Sequence, residues 1–402
     1  METKTVRLGD VANVNPRLPL TKGTVARKIP MEALTAHQRH IDSFFYEKYS
    51  GGVKFQNGDT LVARITPSLE NGKTSYVDLL DKDEIAFGST EFIVLRAKNK
   101  LILPKFLYYI SISDDFRQMA IQSMTGTSGR QRVQSESVIN YEFSLPDIEK
   151  QTAIVDLLDA IDQKLKINQQ INKNLLKLGM NIAIRTSNIN KNTTCRISDM
   201  KDFLTVSDHV ANGSFKTLKD NVTIVDKPDY SLFLRNTDLK RNLMGDKRWI
   251  TKHSYDFLKK SHLYGGEVII SNVGDVGSVH RVPYLDEHMV AGNNVIFIQS
   301  ADSWITDYLY LYFLSNIGQH ALSTITSGSA QQKFNKTDFR AIELPIIPKN
   351  FVKKNLTPIL KKIDSNRVEE DCLITLRDLL LPRLLSGEID LSILEEVLKN
   401  AK

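Results

Sequence analysis

DIEKQTAIVDLLDAIDQKLKINQQINKNLLKLGMNIAIR occupies residues 147–185, and its reading decides the architecture of this 402-residue chain. Ile154, Leu158, Ile161 and Leu165 fall on steps of three and four, and the stripe resumes at Leu175 and Ile182 with Asn168 and Asn172 between. That spacing gives one apolar helix face, close to the heptad spacing of coiled coils. The stretch holds no proline and one glycine, Gly179, so the spacing predicts a helical spacer over 147–186. A second spacer and tail is expected over 346–402, with Leu356, Leu360, Ile363, Leu381 and Leu384 on its stripe and Arg367 and Glu370 interrupting it. Pro358 is expected to delay its start, Pro382 to kink or end it, and Gly387 to cap it.

The regions ahead of the two helices have a different texture. Over 1–146, short apolar runs such as LVARI (61–65) and FIVLRA (92–97) are broken by Gly, Pro, Asn and Asp, as strands and turns are. The same pattern returns over 187–345, in SLFLRN (231–236) and NVIFIQS (294–300), after a polar stretch SNINKNTT (187–194) that has the composition of a linker. The whole is an α+β organisation of two globular domains alternating with two long helices.

The two halves also repeat one another. Gly58-Asp59-Thr60-Leu61-Val62 matches Gly266-Glu267-Val268-Ile269-Ile270, and Leu107-Tyr108-Tyr109 matches Leu311-Tyr312-Phe313. The segments 125–132 and 326–333 face each other, imperfectly at their first residues. Leu145-Pro146 matches Leu344-Pro345, and Ala160-Ile161-Asp162 matches Lys362-Ile363-Asp364. Five landmarks in one order define an internal repeat. Helices ending consecutive repeats bury their stripes as an antiparallel coiled coil, which relates the repeats by a pseudo-twofold axis. At 1.5 Å per residue such a helix spans about 54–58 Å, more than the roughly 34–36 Å turn of B-DNA.

Composition narrows the function. With 53 Lys+Arg against 47 Asp+Glu the net charge is +6, and 41% hydrophobic with 25% charged residues is globular. Residues 1–146 carry 19 basic and 16 acidic side chains, whereas 195–345 carry 17 of each, so phosphate anchoring is expected to be stronger in the first domain. No apolar run reaches the length of a membrane span and the N-terminus lacks a signal-peptide core. Two cysteines, Cys195 and Cys372, make neither a disulfide framework nor a zinc site; buried structural thiols and a cytoplasmic location are expected.

The chain resembles the specificity subunit of a type I restriction–modification system over essentially its whole length. The resemblance is carried by LGDVANVNPR (8–17), GDTLVARITPSLENGK (58–73), LPDIEKQTAIVDLLDAIDQKLKINQQIN (145–172) and TLRDLLLPRLLSGEI (375–389). The second repeat departs from the first where LPIIPKNFVKKNLTPIL (344–360) replaces LPDIEKQTAIVDLL. The resemblance implies two target recognition domains, each reading half of a split double-stranded DNA sequence. It implies helices that space them and dock two methyltransferase subunits, with restriction subunits joining that core. The chemistry would then belong to those partners, with S-adenosylmethionine, ATP and Mg2+, and this chain would be non-catalytic with no cofactor, no metal and no membrane partner.

Residue chemistry nominates contacts for that role. Ser128, Arg130, Gln131 and Arg132 face Ser329, Gln331, Gln332 and Lys333 in the repeat. Arg pairs with guanine, Gln with adenine, and Ser or Lys holds phosphate; a solvated surface loop has the same composition. Arg64 and Lys73 flank a Pro- and Asn-Gly-marked segment that fits a groove-facing loop or a hairpin turn equally. Lys247, Arg248 and Lys252 lie in a basic run with Trp249, His253 and Tyr255, diluted by Asp238, Asp246 and Asp256. Asn272, Asn293 and Asn294 are possible amide readers or turn residues. On the seam, Asn168 sets register or meets a partner. Asp147, Asp162 and Lys164 mimic a metal-nuclease signature, but on one helix Asp147 and Asp162 sit about 22 Å apart. A repeat-built adaptor binding protein instead of DNA remains the alternative from another class.

Overall fold

The computed structural model describes residues 4–41, 43–98, 100–127, 129–189, 193–243, 245–328 and 331–389. They form two compact units, residues 1–167 with 370–402 and residues 168–369. The boundaries fall inside the long helices, so each unit holds one globular domain and a segment of each helix.

In the first domain a four-stranded antiparallel sheet has the order Ala12–Val14, Phe92–Ala97, Thr60–Ala63, Thr74–Tyr76. Its central strands are apolar on both faces because both are covered. Val62, Ile93 and Leu95 pack with Phe106 and Leu107 of the helix Pro104–Ile112, while Leu61, Phe92 and Val94 pack with Ile29 and Phe55 of a second sheet. That second sheet has the order Phe45–Lys48, Val25–Ile29, Ala86–Gly88, Lys54–Phe55, with one parallel pair at its centre. Lys4–Arg7 pairs with Glu142–Leu145 and brings the domain's two ends together at the start of the long helix.

The second domain repeats this plan. Its main sheet runs Thr205–Asp208, Val295–Gln299, Val268–Ser271, Val279–Arg281, and its second sheet runs Ile224–Val225, Trp249–Ile250, Ser231–Leu234, His288–Ala291, His262–Leu263. Again the one parallel pair is central, and Thr194–Arg196 closes against Glu343–Pro345. The helix pairs following the sheets are joined by equivalent caps. Ser113 Oγ accepts from the Phe116 N–H at 3.3 Å, and Ser315 Oγ accepts from the Gly318 N–H at 3.2 Å.

One helix, Ile148–Ile189, serves both units; the distal helical region comprises Lys349–Asn355 and Thr357–Leu385. Pro382 lies within the last turn without ending the helix, and Gly387 takes φ +75° beyond it. Ser187, expected in the linker over 187–194, is helical and buried, its Oγ 3.2 Å from the Tyr308 hydroxyl. A hydroxyl partner inside the domain makes that polar residue a packing residue; residues 190–192 lie outside the described ones.

The helices run antiparallel within each unit. In the first, Ile154 and Leu158 share a core with Leu381 and Leu384, and Ile161 and Leu165 are buried. In the second, Leu175 packs into the core that holds Leu356, Leu360 and Ile363. Asn168 Nδ2 donates to Glu369 Oε2 at 2.7 Å, and Asn366 Nδ2 to Asn172 Oδ1 at 2.7 Å. At the middle of the distal helix the buried polar residue is Asn366 and the half-buried one is Arg367, because the helix steps by three from Ile363; Arg377 is buried further along. Gly179 is explained by Leu311, whose methyl carbons would lie 3.1 Å from an added Cβ. Cys195 is partly buried and Cys372 is exposed, so the expected burial fails for Cys372, which sits on the solvent side of its helix.

Candidate nucleic-acid interface

The main sheets end in loops that come together in the same way in both domains. After Thr60–Ala63 the chain passes through Arg64, Ile65 and Thr66; after Val268–Ser271 it passes through Asn272, Val273 and Gly274. Ile65 bridges to Arg132 and Val273 to Lys333. The Val133 N–H donates to Arg64 O at 2.9 Å, and the Phe334 N–H to Asn272 O at 3.1 Å. Each distal loop closes on itself, through Thr125 with Arg132 and through Ser327 with Lys333. The match is thus Thr125 with Ser327 and Arg132 with Lys333, which leaves the second loop one residue shorter.

These main-chain bonds gather several of the residues nominated from sequence. Arg64 with Arg130, Gln131 and Arg132 meet in the first domain; Asn272 with Gln331, Gln332 and Lys333 meet in the second, and Asn294 joins them as its carbonyl accepts from the Asn272 N–H at 3.1 Å. Asn293 is exposed beside it. Arg64 and Asn272, equivalent in the repeat, use their side chains alike: Arg64 Nη2 donates to Val133 O at 3.3 Å and Asn272 Nδ2 to Phe334 O at 3.1 Å. Both hold the loop base. Arg130, Gln331, Gln332 and Lys333 are exposed, and their side chains make no hydrogen bond or ion pair among the described residues. Arg132 is held by Glu91, with Nη2 to Oε1 at 2.7 Å and Nε to Oε2 at 3.0 Å, and this contact pulls the Glu91 carboxyl below its usual range. Ser128 and Ser329 lie outside the described residues.

Other candidates are placed elsewhere. Lys73 reaches back to Met31 O at 3.0 Å from the hairpin between Thr60–Ala63 and Thr74–Tyr76. In the basic run, Arg248 pairs with Asp226, and Lys252 pairs with Asp256 at 2.8 Å while lying over the Tyr230 ring. Lys247 is half-buried. Lys240 instead extends to the loop region, pairing with Asp275 at 2.8 Å. Of the nuclease-like carboxylates, Asp147 caps its helix by accepting from the Lys150 N–H at 2.9 Å. Asp162 is buried, accepting from Tyr109 at 2.8 Å and Arg377 at 3.2 Å. Sequence reasoning missed Arg377 because its partners lie far away in the chain, and it missed Phe215, which is 81% exposed on a helix the first domain lacks.

Comparison with known proteins bears on this geometry. The family described as type I restriction modification DNA specificity domain matches residues 1–177 and 198–375. The chain belongs to that family, whose domains give type I restriction–modification systems their DNA sequence specificity. It is 22% identical to the type I restriction enzyme HindI specificity subunit of Haemophilus influenzae, over 83% of this chain and 87% of that protein. It is 28% identical to the EcoAI specificity subunit of Escherichia coli, over 41% of this chain and 31% of that one. Among solved structures it is similar to the HsdS subunit from Thermoanaerobacter tengcongensis, with 18% identity, TM-score 0.39 and coverage of 96% and 97%. It is also similar to a type I S subunit from M. genitalium, with 15% identity, TM-score 0.48 and coverage of 96% of each chain. Among the described residues no helix is long and apolar enough to cross a membrane.

Proposed function

We propose that the chain reads a bipartite double-stranded DNA sequence, one half through each domain, and that the helix pair sets the unread gap and docks two methyltransferase subunits. The observation that carries this reading is the paired loop. Each repeat builds one main-chain frame at the same sheet end, yet displays Arg130, Gln131 and Arg132 in one copy and Gln331, Gln332 and Lys333 in the other. One frame with different donors is what reading two different half-sites requires. Restriction subunits would join this core, and methyl transfer from S-adenosylmethionine and ATP- and Mg2+-dependent cleavage belong to the partners, in the cytoplasm. The chain itself supplies recognition.

Mapping methylated bases in cells that express the chain with its methyltransferase partner tests the proposal. A split motif is expected, and matched four-residue insertions (about one turn) in the two helices lengthen its gap. A continuous motif, or a gap that ignores the insertions, refutes it.

A further inference from the structure

The second domain carries an addition that the repeat does not explain. Between Thr205–Asp208 and Ser231–Leu234 the chain inserts the helix Phe215–Asn221 and the strand Ile224–Val225. The equivalent stretch of the first domain, between Ala12–Val14 and Val25–Ile29, has no helix. With the loop residues Asn272, Val273, Asn293 and Asn294 this insertion encloses a cleft of about 470 Å³, within the range of about 300–1,000 Å³ of small-molecule sites.

Two residues that line the cleft each bury a polar atom without a partner. His209 is 6% exposed and its ring is held by the Ala291 backbone, yet Nδ1 has no hydrogen bond. Asn272 donates Nδ2 to Phe334 O, and its Oδ1 is buried with no partner. Buried polar atoms are normally satisfied, so two in one cleft mark a place for a ligand. Burial lowers the His209 pKa and favours the neutral ring, in which one nitrogen is an acceptor. Two acceptors suit an amino group. The rest of the wall is mixed: Leu218, Val222 and Val295 are apolar, Asp208 and Lys219 carry charge, and Phe215 offers an exposed ring at the rim.

We propose that this cleft receives one unstacked, amino-bearing nucleobase (adenine, cytosine or guanine) from the DNA target. Asn272 Oδ1 and His209 Nδ1 would take its amino hydrogens and Phe215 would stack on its face. A base that leaves the helix stack is read on its Watson–Crick edge and packed on aromatic rings. The inference rests on the DNA-reading proposal above and deepens it: one half-site is read partly by extrusion, the other by loops alone.

The test uses the full chain assembled with its methyltransferase partner and duplexes bearing the mapped target. 2-Aminopurine is placed singly next to each adenine, cytosine and guanine on both strands, so that the base under test keeps its amino group. A several-fold fluorescence rise is expected beside one position of one half-site, other than the base that is methylated. Phe215→Ala should abolish that rise and weaken binding by roughly 5- to 100-fold, the range for losing one aromatic–base stack, while Phe215→Tyr retains both. Phe215 is exposed, so its replacement leaves the core intact. No rise except beside the methylated bases, or a rise that persists in Phe215→Ala, overturns the inference. Methylation of a split motif under either result leaves the broader proposal standing, whereas loss of the split motif removes that proposal instead.

Discussion

Replacing Arg377 isolates what holds the distal helix to the first domain. Its guanidinium is 2% exposed and lies 3.2 Å from Asp162, which is equally buried. It also donates to His37 O at 3.1 Å and to Asp378 at 3.0 Å, and Asp378 is 55% exposed. Arg377→Met leaves the buried Asp162 carboxylate with the Tyr109 hydroxyl, at 2.8 Å, as its hydrogen-bond donor. Stranding a buried charge in this way costs about 3–5 kcal/mol. Asp162→Asn is milder, about 1–3 kcal/mol, because Arg377 keeps Asp378 and the carbonyl while the Tyr109 bond survives. The double replacement Arg377→Met with Asp162→Leu strands no charge and should recover most of the loss. Hydrogen exchange of peptides covering 154–166 reads this locally. Protection should fall by about two to three and a half orders of magnitude in Arg377→Met, at about 1.4 kcal/mol per factor of ten. Peptides over 295–313 serve as control. Equal losses in the two single variants, or a double variant as weak as Arg377→Met, would refute the stranded-charge argument.

Lys333→Gln should lower the log–log salt slope of DNA binding by about 1. Arg132→Gln should lower it less, since Glu91 already neutralises that arginine; equal slopes in titrations from low to moderate salt would count against the loop assignment. Burial, with Lys240 and Arg367 adding to it, pushes the His280 imidazole down to about 4 against a usual 6.5. The unfolded chain therefore binds a proton here that the native one refuses. Stability is full above pH 6.5 and falls toward pH 4, by at most about 1 kcal/mol per pH unit for a ring not fully buried. Urea midpoints of His280→Gln should show a flatter profile over that window, and an unchanged slope removes this residue from the account. A Cβ at Gly318 would sit 2.1 Å from Tyr312 O. Gly318→Ala should therefore cost about 1–3 kcal/mol, seen as a lower melting temperature; a neutral result would mean the helix junction gives way freely.

The long helices and the repeat were legible because both are written in periodicity. Ile154, Leu158, Ile161 and Leu165 mark one face with no knowledge of what covers it. The second sheets were legible only in part: SLFLRN (231–236) reads as a strand, whereas Lys54–Phe55, Trp249–Ile250 and His262–Leu263 are two-residue strands, too short to show alternation. Ser187 looked like linker because a hydroxyl gives no sign of a buried partner such as Tyr308. Arg367 reads as a seam residue in the sequence because steps of three and four are equally regular until a partner helix selects one. The loop match slipped by a residue for a related reason: main-chain pairing of Ser327 with Lys333 fixes it, and main-chain pairing leaves no mark on side-chain identity. Of the candidate interface, the gathered loops were foreseen, while the cleft under Phe215 depends on an insertion with no counterpart in the first repeat.

The equivalent polar positions show how such a fold tolerates change in what it reads. Asp59 holds Arg96 through two bonds, at 2.7 and 2.6 Å, from one strand to its neighbour. At the same register of the second domain, Glu267 holds Gln299 at 3.1 Å and turns its oxygens to the Tyr264 and Gly265 N–H groups, each at 2.8 Å. The ion pair has become a carboxylate–amide bond, and where Asp59 accepts one backbone bond, from the Gln56 N–H at 2.8 Å, Glu267 accepts two; the sheet order is unchanged. Likewise Arg64 and Asn272 differ in charge and length, yet each bonds the carbonyl of the residue that follows the loop. Since the frame is made by main-chain bonds and by acceptors that accommodate different donors, the exposed side chains between its anchors contribute little to stability. Exposed substitutions away from such anchors change stability by about 0.5 kcal/mol or less, whereas a good bidentate base contact discriminates by about 1–3 kcal/mol. Replacing Arg130 or Gln331 should thus alter the sequence read at nearly constant stability, while replacing Asn272 should alter both.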